Sequence, residues 1–194
     1  MLKNIFISVF AFCGSLQAQD SIQLLFAYGS KPIAANEASW FGGLHGGHVS
    51  ISYKGAFASF VPDGGVHIFA NKKHRQSAFI IEQDKNFAFD TLNARYLMLA
   101  IPVTKSQAHK VDSLLQARLL LAPYDYAFFG MRCASAAYEV LANAGIYPKY
   151  NLSKMIRKYF YPKRLRKQLL KEARSKGWYY YYRAGRKGRK WESD

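Results

Sequence analysis

The stretch from Tyr124 to Gly145 constrains the fold more than any other part of the chain. Its second half reads as a helix. Ala134, Ala136, Ala137, Leu141 and Ala142 are good helix formers, and Gly145 sits where a helix stops. Cys133 falls in the first turn of that helix. Unpaired backbone N–H groups and the positive end of the dipole favour a thiolate there, as does the neighbouring Arg132. A thiol so placed is a candidate nucleophile and needs a base. The best-placed base is His48, at the mouth of a predicted strand, in Gly46-Gly-His-Val-Ser-Ile-Ser-Tyr53. The alternative is a small buried apolar Cys133 on a packed helix.

The first 18 residues read as a secretory leader. Lys3 gives a charged start, Ile5 to Phe12 an apolar run, and small residues precede a cut after Ala18. The run is far shorter than the ~20 residues a spanning helix needs. Cys13 raises a lipoprotein leader as a lesser reading, because Phe10 and Phe12 before it are bulky for that processing. Cleavage at Ala18 removes Cys13 and leaves Cys133 as the single cysteine, so no internal disulfide can form. A lone thiol is unusual in an oxidising compartment, which favours a functional role. The expected location is secreted or periplasmic.

Charge divides the chain. The total is +16 over 194 residues. From Lys149 onward there are 16 Lys and Arg against 3 Asp and Glu; the first 148 residues hold 12 against 9. The expected organisation is a leader over 1–18, a near-neutral domain over 19–148 and a basic helical extension over 149–194. Such an extension attracts polyanions such as acidic lipid headgroups or cell-wall polymer. Specific nucleic-acid binding is not indicated, since no DNA- or RNA-binding pattern appears.

The body reads as strands followed by helices. Ser21–Tyr28 is a strand or a short helix. A glycine-rich loop, Phe41 to Gly47, delivers His48 onto a strand whose Val49, Ile51 and Tyr53 face one way and His48, Ser50 and Ser52 the other. Lys54-Gly55 is a turn into 56–61, which sets Ser59 opposite Ser50. A turn at 62–65 leads to a strand over 66–70. Further strands are expected at 78–82 and 96–103. Thr104-Lys-Ser-Gln107 resembles a capping box opening a helix that ends before Pro123. Past Gly145, 155–160 and 164–173 look helical, and Trp178–Tyr182 has strand propensity.

A glycine-rich loop, Gly-His-Val-x-Ile on a strand, a small sheet, and then Arg-Cys-Ala-Ser-Ala-Ala-Tyr-Glu-Val-Leu opening a helix together resemble the circularly permuted papain-like hydrolases of the NlpC superfamily. That group includes the lecithin retinol acyltransferase-like branch. In the permuted branch the histidine precedes the cysteine, as here. The resemblance covers roughly Leu44 to Gly145. It implies an α+β fold with a small antiparallel sheet packed on the cysteine-bearing helix. It also implies an exported hydrolase or acyltransferase that acts on a cell-wall peptide amide or a lipid ester without a cofactor. Cys133 would be the nucleophile and His48 its base. The third, ring-orienting position falls near Ser59, with His67 and Asp63 as alternatives. The Cys133 N–H, with the Tyr124 or Tyr126 hydroxyl, would form an oxyanion hole. His45 and His74 read as loop residues, and His109 as a solvated residue on a helix. No Cys/His pair has zinc-site spacing. The rival function is a non-catalytic module that docks on the envelope through the basic extension.

Overall fold

A computed structural model describes residues 20–29, 47–73, 75–82 and 95–185. The leader with Cys13, the loop from Phe41 to Gly46 with His45, His74, and the basic end Arg186–Lys190 lie outside the described residues.

The described chain is α+β. Six strands form one open sheet: β1 (Ser21–Ala27), β2 (His48–Tyr53), β3 (Ala56–Pro62), β4 (Ser77–Glu82), β5 (Tyr96–Pro102) and β6 (Tyr180–Arg183). Four helices accompany it: α1 (Lys105–Leu120), α2 (Cys133–Asn143), α3 (Leu152–Lys158) and α4 (Pro162–Lys176). The strand order is β4-β3-β2-β1-β5-β6, and every neighbouring pair is antiparallel.

The strand period of two decides what each face carries. Pairing of Leu24 with Ile51 and Leu99, and of Phe26 with Val49 and Leu97, stacks branched and aromatic side chains on one face. With Ala58 and Phe60 they share a core with Ala134, Ala137, Val140 and Leu141 of α2. Leu24 and Leu99 are wholly buried; each such side chain stabilises the fold by about 1.5–3 kcal/mol. The other face carries the polar set, because Ile51 pairs with Ala58 and Ser59 pairs with Ile80. Continuing that ladder sets Ser50 across from Ser59 and puts His48 and Glu82 on the same side.

Local chemistry fixes the ends. Lys54 and Gly55 both take positive φ, 47° and 80°, which matches the right-handed twist of a two-residue hairpin. Thr104 and Gln107 form a reciprocal capping box at the start of α1. Pro162 opens α4, and Gly177, at φ 67°, closes it.

Two sequence expectations change. Residues 66–70 make no strand; a single bridge joins His67 to Ala127. Their backbone groups are taken elsewhere. The His67 and Ile68 carbonyls accept from the Phe128 and Phe129 N–H groups, at 2.7 and 2.8 Å. Buried Asp125 accepts from the Asn71 and Gln76 N–H groups and from His67 Nδ1. The second change concerns the basic extension. Leu165, Leu169 and Ala173 of α4, with Met155 and Tyr159, belong to the main core. β6 pairs with β5, so Leu97 lies beside Tyr182. Buried Arg166 stacks on the Tyr28 ring at 3.7 Å. The boundary at Lys149 marks a change of charge, and the folded unit continues through it.

One contact sets the entry to β2. Gly47 has φ 88°, and a Cβ there would lie 2.4 Å from the Ala27 carbonyl oxygen. Glycine lets the chain pass against the end of β1 and start the strand at His48. Replacing Gly47 with alanine should lower unfolding stability by about 1–3 kcal/mol, read from the urea midpoint. An unchanged midpoint would contradict this role.

Candidate active site

Cys133 is the first residue of α2 and is buried, 4% exposed. The turn before it is closed by Ser135, whose Oγ accepts from the Arg132 N–H at 2.8 Å and donates to the Arg132 carbonyl at 3.0 Å. The Arg132 side chain is buried among aromatic rings, 4.6 Å from the Phe160 centroid and 5.5 Å from that of Tyr161. These contacts hold a cation beside the sulfur.

The sheet brings the imidazole to the thiol. The His48 and Cys133 side chains lie close enough for each to shift the other's ionisation, and the Val49 N–H acts on the thiol as well. His48 Nε2 lies 2.9 Å from Glu82 Oε1, which leaves Nδ1 as the nitrogen for the sulfur. Ser50 Oγ donates to the same Glu82 oxygen at 2.9 Å. Glu82 reaches His48 from β4 across the intervening β3. It can do so because β3 carries only the small Ser59 where the two side chains must meet.

Each ionisation follows from this packing. Burial disfavours charge on all three groups. For Glu82 the hydrogen bond and charge of His48, with help from Ser59 and Ser50, outweigh burial and hold the carboxyl below its usual range. For His48 the partners Cys133 and Glu82 likewise overcome burial and push the ring up to about 10. Burial would raise the Cys133 pKa, but His48, the Arg132 charge and the Val49 N–H bring it below the ordinary thiol value. A depressed thiol facing a raised imidazole is a thiolate–imidazolium pair, stable between the two pKa values.

The residues singled out from sequence fall into two groups. Cys133 and His48 stand together. The ring's carboxylate partner is Glu82, which sequence reasoning missed; of the three candidates for that place, Ser59 lies beside Glu82 and the other two lie elsewhere. Ser59 is buried beside Glu82 and helps keep it ionised, although its Oγ does not complete a well-aligned hydrogen bond. His67 is bound to Asp125 at 2.6 Å. Asp63 closes a turn through its N–H to Gln76. The signal for Glu82 was a carboxylate at the end of an otherwise apolar strand, in register with the Ser50–Ser59 face. Tyr124 also turns away: its hydroxyl donates to Glu139 Oε2 at 3.3 Å, beside the Arg118 guanidinium. Tyr126 takes its place near the sulfur, where Cys133 and Arg132 both act on its hydroxyl. Burial first, and then the Cys133 charge, raise its pKa, so the phenol stays a donor. Among the described residues no three His, Cys, Asp or Glu side chains converge as a metal would require.

Replacing Glu82 with glutamine keeps the shape and removes the charge that supports the imidazolium. The Cys133 alkylation rate at neutral pH should fall, and its half-point should move up in pH, because the thiolate then forms nearer the ordinary ~8.5. An alkylation profile unchanged from wild type would show that the carboxylate does not tune the pair.

Comparison with known proteins finds no matching family model, no similar curated protein and no similar solved structure.

Proposed function

We propose that the protein is an exported cysteine hydrolase or acyltransferase with a permuted papain-like arrangement. The observation that carries this reading is the Cys133–His48–Glu82 chain at the N-terminus of α2. The motif order noted in the sequence agrees with it, with the histidine strand ahead of the cysteine helix.

The chemistry follows from the geometry. The Cys133 thiolate attacks a carbonyl carbon of an amide, ester or thioester. Negative charge moves to the carbonyl oxygen, where the Cys133 N–H and the Tyr126 hydroxyl would donate. His48 gives its proton to the departing amine or alkoxide as the C–N or C–O bond breaks. The acyl group is then a thioester on Cys133. Neutral His48 takes a proton from water or another acceptor, which attacks the thioester and restores the thiolate–imidazolium pair. Glu82 holds the ring in one tautomer and stabilises it when charged, as the third member of a triad does. No cofactor enters these steps.

A cell-wall peptide amide is the first substrate class to test, and a lipid ester the second. Both fit the leader-like N-terminus, which is read from sequence alone.

An activated acyl ester should leave a mass adduct on Cys133. Cys133→Ser should abolish it, and His48→Ala should slow acylation by on the order of 10²–10⁴-fold. Equal acylation of His48→Ala and wild type would overturn the proposal.

A further inference from the structure

Apolar exposure, aromatic stacking and positive charge coincide on the described surface around Phe69 and Phe129. Phe69 is 70% exposed and Phe129 57% exposed. Their rings stack at 5.5 Å, and their loops are tied together by the Phe129 N–H to Ile68 carbonyl bond. Phe128 packs edge-on against Phe129 and continues to Phe160. Beyond them lies an open cleft of about 730 Å³ between Phe129 and helices α3 and α4, floored by Ile156 and Phe160. Arg157 and Arg164 line the same cleft, and exposed Leu152 forms part of its wall.

Isolated exposed apolar residues are ordinary, but a contiguous set with this geometry marks an interaction surface. The hydrogen-bonded loops and stacked rings hold the tips outward, so they have not simply failed to find the core. The charge identifies the partner. Between Glu139 and Glu172 the chain carries nine Lys and Arg and no Asp or Glu. Lys72 and Lys73 follow Phe69 on the neighbouring loop. Apolar tips set among cations fit a surface that is hydrocarbon just below and anionic at the top. A lipid bilayer has that layering, whereas a duplex nucleic acid or a charged polymer offers charge without an apolar layer to enter.

We propose that the Phe69–Phe129 tips and the α3–α4 cleft dock this protein on an anionic lipid bilayer. The aromatic tips enter the interface, and the basic residues around the cleft meet the headgroups. Docking here would hold the chain at the membrane independently of the polybasic residues past 185. It does not depend on the hydrolase reading. Because Arg132 packs on Phe160, the docked face adjoins the cysteine.

The test is sedimentation of the full chain with vesicles of phosphatidylglycerol mixed into phosphatidylcholine, against phosphatidylcholine alone. Wild type should bind the mixed vesicles at least tenfold more tightly and keep part of that binding at high salt. Phe69→Ser with Phe129→Ser should lose that salt-resistant part and at least fivefold in affinity. Leu120→Ser with Leu121→Ser, on an exposed site outside the patch, should bind as wild type does. Equal binding to both vesicle types would overturn the proposal. So would wild-type binding by the Phe variant, which would assign attachment to other segments. Loss of a wild-type dimer in the Phe variant, with no change in vesicle binding, would overturn it in favour of a second copy. Unchanged alkylation of Cys133 in the Phe variant shows that the site is still folded.

Discussion

A carboxylate buried two strands away from an imidazole is the constraint around which the rest of this structure is arranged. Glu82 cannot stay ionised out of water without partners, and the sheet supplies them: His48 and Ser50 on its Oε1, with Ser59 alongside. Removing one member of such a buried set typically costs about 3–5 kcal/mol, because the remaining charge is stranded. Stability and reactivity therefore draw on the same contacts. The register that sets Ser50 opposite Ser59 also aims Glu82 at His48. The core face of the same strands seats α2 with Cys133 at its end. A one-residue slip between β2 and β3 would send the imidazole into the hydrocarbon face.

The segment before Cys133 shows how charge and packing divide the work. Asp125 gathers the 67–76 loop, and Glu139 gathers Arg118, Tyr124 and Asn143. Between these two polar clusters lie Tyr126, Met131 and Arg132, all buried, which carry the chain to the helix start. Arg132 stands at the N-cap position and makes no side-chain cap bond. Held by aromatic rings, its charge acts on the sulfur, while Ser135 closes the turn. Beyond α2, the Tyr138 ring stacks on Tyr159 at 4.2 Å and on Tyr150 at 5.6 Å. Stacked rings on either side of α3 join it to α2, and Met155 of α3 is also in the core.

Local signals in the sequence were the legible ones. The Thr104 capping box, the Lys54-Gly55 turn and the alternation of residues 48–53 are short-range chemistry, and each appears where the residues put it. The pairing of His48 with Cys133 was legible because each sits at the start of an element with an unmistakable period. Glu82 was not, because its role depends on the ladder across β2, β3 and β4, and no local pattern encodes a diagonal reach over two strands. The strand expected at 66–70 failed for a related reason: Asp125, distant in sequence, claimed its backbone. The basic stretch after Lys149 misled because charge counts hide spacing. Residues 164–173 read as a helix, but only the packed structure shows Leu165, Leu169 and Ala173 closing the main core.

Reactivity at Cys133 requires that the His48 imidazole carry its proton opposite an ionised sulfur. Nitrogen NMR of ring-labelled histidine measures this at His48 without reference to any substrate. The ring should stay doubly protonated well past neutrality, titrate near 10, and lose that elevation in Cys133→Ala. A neutral His48 ring at pH 8, titrating near the ordinary ~6.5 with or without the thiol, would contradict it.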